Sequence, residues 1–164
     1  MTRLYPPFVA GRSGIGFLLI RIVVGAAMVM HGWQKIGSPF HWMDKMGNAP
    51  PAFLQGLSVL AEAGGGAAIL LGLLTPLAAL GLVCDLAYAL FLVHLPKGDP
   101  FVASGGGSSY ERALVYLAAS LAILLTGPGR YSLDALLFRR RTSVIKASAW
   151  ARPTAAWGET GLVP

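Results

Sequence analysis

The chain has 164 residues, of which 55% are apolar and 12% charged, with a formal net charge of +6 and a mean hydropathy of +0.62. That length suits one domain, and so apolar a composition excludes an ordinary soluble globule and makes lipid the expected solvent. A single cysteine, Cys84, excludes an intramolecular disulfide, a CxxC redox pair and a cysteine-rich zinc or iron–sulfur site within this chain. The basic residues flank apolar blocks, where anionic headgroups and translocation rules explain them better than nucleic acid does.

A short N-terminal segment, 1–13, leads into apolar blocks at roughly 14–35, 53–74, 76–95 and 110–126, each near the ~20 residues that cross ~30 Å of hydrocarbon. The first block is read as a retained helix and not as a signal peptide, because Arg21 interrupts it and no small-x-small cleavage site precedes its Gly32-Trp33-Gln34-Lys35 end. The loop that follows, about 36–52, is rich in Gly, Pro, Trp and Phe, as suits the headgroup level, with Trp33, Phe40, Trp42 and Phe53 as belt anchors. Pro76 opens the third helix after the Thr75 turn. The loop from Pro96 to Ser109 carries Gly105-Gly106-Gly107 without the strand or Lys-Ser/Thr of a phosphate-binding loop. From 138 to 164 runs a basic tail, interfacial or disordered, and the four blocks between form one membrane domain, 14–137. Arg3 and Arg12 precede the first span and Arg130, Arg139, Arg140, Arg141, Lys146 and Arg152 follow the last, eight of the thirteen cations. The expected architecture is therefore an all-α membrane protein, a four-transmembrane-helix bundle with N and C termini cytoplasmic.

Ionisable groups within such spans are costly unless they face the bundle interior and find partners, so each is a functional hypothesis. By helical rise, Glu62 and Asp85 each lie about 14 Å into their spans, near the midplane, and Arg21 about 10 Å into the first. An Arg21 pair with Glu62 or Asp85 is expected, either as a structural clamp or for proton and ligand handling. Glu62 shares a helical face with Gly65, Gly66 and Ile69, a small-residue face that a neighbouring helix can approach closely. A second group, His31, Lys35, His94, Glu111 and Arg112, gathers at the outer helix ends. His31 and Lys35 share a face, with Arg21, Met28 and Lys35 on a stripe beside it. Asp85 and His94 are about 180° apart on an ideal helix, so both face one cavity only if the helix end unwinds. Two histidines from different helices can hold a haem, and His, His, Glu is an acceptable metal-ligand set, but no spacing signature supports either.

Arg21 followed by His31-Gly32-Trp33-Gln34-Lys35, then Ala61-Glu62-Ala63-Gly64-Gly65-Gly66 running into Leu71-Gly72-Leu73-Leu74-Thr75, His94, Tyr110-Glu111, and Gly127-Pro128-Gly129-Arg130-Tyr131-Ser132-Leu133-Asp134 make the chain resemble the DoxX family over roughly residues 15–137. The resemblance implies a four-helix bundle in the bacterial cytoplasmic (inner) membrane. Family members are described as oxidoreductases or as membrane subunits of quinone-linked sulfur oxidation and oxidative-stress systems. On that likeness a quinone headgroup binds among His31, Lys35, His94 and Glu111, where imidazole and carboxylate supply hydrogen bonds and protons. No side chain here carries an electron pair, so on this likeness soluble or membrane redox partner proteins, or a further cofactor, deliver electrons, and the chain is a membrane anchor and quinone site more than a complete enzyme. Two other readings stand beside this one: a small transporter or proton-coupled permease built on Glu62, Asp85 and Arg21, and a non-catalytic assembly factor docking partners through the tail from Arg139. Homo-oligomerisation stays open.

Overall fold

The computed structural model describes residues 9–45 and 49–138. They form α1 (Gly11–Trp33), α2 (Ala52–Leu71), α3 (Thr75–Lys97), α4 (Glu111–Thr126) and the short α5 (Leu133–Phe138), with no strand among the described residues. Of the eight terminal cations on which the orientation rests, only Arg12 and Arg130 fall within this set, and almost all of the 138–164 tail lies outside it.

Three helices, α1, α2 and α3, are long and apolar enough to cross a membrane. The fourth block makes a helix of 16 residues, about 24 Å of rise, shorter than the other three. Gly127, at φ 78° and ψ −173°, and the proline after it end the helix there. Large apolar side chains on all four helices point outward, among them Val23 and Met30 on α1, Leu60 on α2, Leu77 and Leu92 on α3, and Leu125 on α4. The interior instead holds Val24, Met28, Ile69, Ala79, Leu82, Leu86 and Ile123 together with buried Arg21, Gln55, Glu62, Ser120 and Asp134. A soluble protein distributes these residues the other way, so the surface itself argues for hydrocarbon around the bundle.

The helices pack in chain order, α1 on α2, α2 on α3 and α3 on α4, with α4 also touching α1. Hydrocarbon gives little hydrophobic drive for helix association, so close backbone approach must supply the dispersion contacts. The face of Glu62, Gly66 and Ile69 does this: all three are buried, and a Cβ on Gly66 would stand 2.7 Å from the Val29 nitrogen and 3.0 Å from the Gly25 oxygen. Gly32 meets Ala63 in the same seam.

Two departures from α geometry matter for the interior. A π turn occupies Leu60–Gly65 in α2, around Glu62, and another occupies Ala89–His94 in α3. Wider i→i+5 bonding alters the side-chain register and is frequent at functional sites. The angle an ideal helix sets between Asp85 and His94 therefore does not hold, since the second π turn lies between them. The α2–α3 turn uses Gly72 in the left-handed region and Leu74 at φ 48°, the only non-glycine positive φ among the described residues.

Candidate functional site

At the α2–α3 end of the bundle, Arg21 is 1% exposed and has neither Glu62 nor Asp85 as its hydrogen-bond partner, which corrects the expected pairing. Its Nε donates to the Ile69 carbonyl at 3.0 Å and Nη2 to that of Leu70 at 3.3 Å. Nη1 donates to the carbonyls of Pro128 and Tyr131, both at 2.8 Å. The reason is local: the last turn of α2 ends in carbonyls without the regular i+4 partner, Ile69 accepting the capping Gly72 N–H at 3.1 Å instead, at the negative end of a helix dipole, and the closing loop adds two more. A planar fork of donors fits that ring, whereas a carboxylate at Glu62 lies further up α2.

Asp134 completes this corner. It is fully buried, is the acid that interacts electrostatically with Arg21, and accepts the Leu74 and Thr75 backbone N–H groups at 2.8 Å each. It thus caps α3 and holds the strained Leu74. Ser132 in turn accepts from the Ala135 N–H and donates to the Gly129 carbonyl. Arg21, the Gly72 turn and the Gly127–Asp134 loop form one cross-link between three parts of the chain.

The acids find a different cation. Lys35 Nζ lies 2.6 Å from Glu62 Oε2, with side-chain exposures of 18% and 9%. The approach is an ion pair and not an aligned hydrogen bond. Asp85 interacts with the Ser58 hydroxyl and lies within electrostatic reach of both Glu62 and Lys35. An ammonium from the turn after α1 thus pairs with a carboxylate of α2, with a second carboxylate, on α3, within electrostatic reach of both. Lys35, expected in the outer cluster, reaches inward on its flexible stem instead.

Trp42 covers this group. Its ring lies 3.9 Å from Lys35 Nζ, a cation–π contact, and its Nε1 donates to the Gln55 carbonyl at 3.3 Å. Gln55 is buried and staples the 34–45 loop to α2: its Oε1 accepts the Met43 N–H at 2.9 Å, and its Nε2 donates to Asp44 at 2.9 Å and to the Pro50 carbonyl at 3.0 Å. Asp44 accepts from Gln55 and shares a 2.8 Å contact with His41, which together hold its carboxyl below the usual range. Trp33, Phe40 and Phe53 are exposed as belt anchors should be; Trp42 is half-buried and belongs to the site.

The other outer residues take separate partners. His31 is half-buried and meets Tyr116 of α4 edge-on, ring centroids 6.1 Å apart. His94 Nδ1 lies 2.7 Å from Asp99, which also accepts from Ser108 at 2.7 Å. Glu111 stands at the start of α4 and Arg112 is exposed beside it. No hydrogen bond or ion pair joins any two of His31, Lys35, His94 and Glu111, and no three of the described His, Cys, Asp and Glu residues gather as metal ligands. Sequence reasoning missed Trp42, Gln55, Ser58 and Asp134 as members of these networks. Asp134 alone had a signal, the Ser-Leu-Asp close of the last motif.

The DoxX family profile matches residues 16–95, which span Arg21, Lys35, Glu62, Asp85 and His94. The inner membrane protein YqjF of Escherichia coli is 33% identical over 129 residues, covering 77% of this chain and 95% of that protein. The uncharacterized membrane protein Rv3486 of Mycobacterium tuberculosis is 32% identical over 136 residues, 77% of this chain and 83% of that protein. A Haemophilus influenzae protein is 33% identical over 125 residues, covering 74% and 90% of the two chains. No solved structure matches the chain. With three apolar spanning helices and these relatives, the chain belongs to the DoxX family, as an integral membrane protein of the inner-membrane type.

Proposed function

We propose that this protein is the membrane subunit of a redox system, and that the Lys35–Glu62–Asp85 group under Trp42 is where it binds a quinone or similar small ligand and handles its protons. The carrying observation is the ion pair between Lys35, in the turn after α1, and Glu62 of α2, with Asp85 of α3 within electrostatic reach of both and the Trp42 ring against the ammonium. Such a group costs several kcal/mol in hydrocarbon, and a purely structural pair needs only one acid.

The residues present suit a quinone. Lys35 is a donor for a carbonyl oxygen, Glu62 and Asp85 can hold or release a proton beside it, and the Trp42 face offers a stacking surface. When bound, a quinone supplies two-electron, two-proton chemistry; the chain's own groups bind, orient and protonate it. Electrons come from partner proteins. In this reading α4 is the fourth crossing of a four-helix bundle, supported by its apolar exposed face and its packing on α3, and both termini are cytoplasmic, supported by the terminal cations.

Redox titration of the purified protein in lipid with ubiquinone and menaquinone analogues tests the proposal. Wild type should bind one of them saturably, and Glu62→Gln and Lys35→Met should weaken binding at least tenfold; absence of binding in several lipids refutes it. A second reading, a proton-coupled permease, is favoured by Asp85 lying beside an already balanced ion pair. It requires a proton or substrate flux in proteoliposomes that Asp85→Asn abolishes, and fails if wild type carries none.

A further inference from the structure

At the end of the bundle opposite the Lys35 group, a groove of about 370 Å³ is lined by Leu71, Arg130, Tyr131, Ser132, Leu133 and Leu136. Its walls are apolar and exposed: Leu136 is 80% exposed and Leu71 55%. Its one cation, Arg130, is exposed and has no ion-pair partner among the described residues. The adjacent acid, Asp134, is fully buried with both oxygens bonded to backbone N–H groups, so it does not neutralise Arg130.

The backbone carrying Arg130 is fixed on several sides. Its own N–H donates to the Val9 carbonyl at 3.0 Å, the carbonyls of Pro128 and Tyr131 are tied to Arg21 at 2.8 Å, and the Asp134 N–H donates to Gly72 at 2.8 Å. A cation is thus held in place at the mouth of an apolar groove where α2 ends and α3 begins. We infer that this groove is a binding site for an anionic phospholipid of the leaflet that meets the Gly72–Thr75 turn, its phosphate on Arg130 and an acyl chain along Leu71, Leu133 and Leu136. Basic pockets between membrane helices take such headgroups, and an aromatic residue such as Tyr131 suits the same level. A zwitterionic lipid offers the same chains, but its own cation offsets much of the attraction to Arg130.

Native mass spectrometry of the full-length protein, equilibrated with equal amounts of phosphatidylglycerol and phosphatidylcholine of identical acyl chains, tests this. Wild type should retain phosphatidylglycerol over phosphatidylcholine by about fivefold, the effect of one basic group near an anionic surface. Arg130→Gln should bring the ratio near one with an unchanged unfolding midpoint, since that side chain is exposed; Arg130→Lys should keep most of the preference. Leu136→Asn should weaken both lipids alike. Equal retention by wild type overturns the site. So does a preference that survives Arg130→Gln, and deleting 139–164 would then trace it to the tail.

Discussion

Replacing Arg21 with methionine removes a guanidinium whose bonds to Ile69, Pro128 and Tyr131 are 2.8–3.0 Å long and whose bond to Leu70 is 3.3 Å. Each hydrogen bond to a charged group contributes roughly 1.5–3 kcal/mol, while removal of the cation also relieves its own burial. Ile69 and Pro128, whose carbonyls are left behind, are buried, and Asp134 loses its counter-charge. The net is a destabilisation of about 3–5 kcal/mol, the range for breaking a buried charged network. Arg21→Lys keeps the charge, but one nitrogen cannot span carbonyls contributed by two separate segments, and should recover less than half of the loss. Equilibrium unfolding in mixed detergent micelles measures both variants. The structural assignment predicts that Arg21→Met lowers stability while the folded fraction still binds ligand with wild-type affinity. Unchanged stability with lost ligand binding would refute it and return Arg21 to the functional site.

Other consequences follow from single residues. Asp134→Ala removes the acceptor of two backbone N–H groups at 2.8 Å and should lower unfolding stability by about 2–3 kcal/mol, with Asp134→Asn recovering part of it. Gly32→Val drives a side chain into Ala63 and should cost about 1–3 kcal/mol in the same assay, while Gly16→Val, where no atom lies within 4 Å, should change stability by less than about 0.5 kcal/mol. Asp99, bonded to Ser108 and then to His94, has its carboxyl held below the ordinary range. A depressed folded-state value means that its contribution is fully present above the ordinary aspartate value of about 3.9 and lost as pH falls through the folded value. Acid unfolding curves of wild type and Asp99→Asn should therefore show their full difference above about pH 4 and converge as pH falls below it.

Hydropathy located the apolar blocks to within a few residues because lipid imposes one solvent rule along each span. The fourth block, 110–126, matches α4 to within a residue and stops short of ~20 residues because Gly127 and Pro128 end the helix there. The face of Glu62, Gly66 and Ile69 was legible because helical spacing alone puts those residues together. The partner of Arg21 was not: its acceptors are backbone carbonyls, one of them 110 positions away, and every residue type has a carbonyl. Nor was the inward reach of Lys35, because counting rise places a Cα while a lysine stem covers several ångströms more. Trp42 read as an interface anchor for the same reason. Only Gln55, a residue with no motif around it, turns that ring over Lys35.

The central claim is that the Lys35–Glu62–Asp85 group binds a redox ligand under Trp42, and the fluorescence of Trp42 reports on it most directly. With Trp33, Trp150 and Trp157 replaced by phenylalanine, titration with a short-chain quinone in nanodiscs should quench the remaining tryptophan along a saturating curve. Glu62→Gln in that background should shift the curve at least tenfold to higher quinone. A linear, partition-like quench that is identical in both proteins would contradict the account.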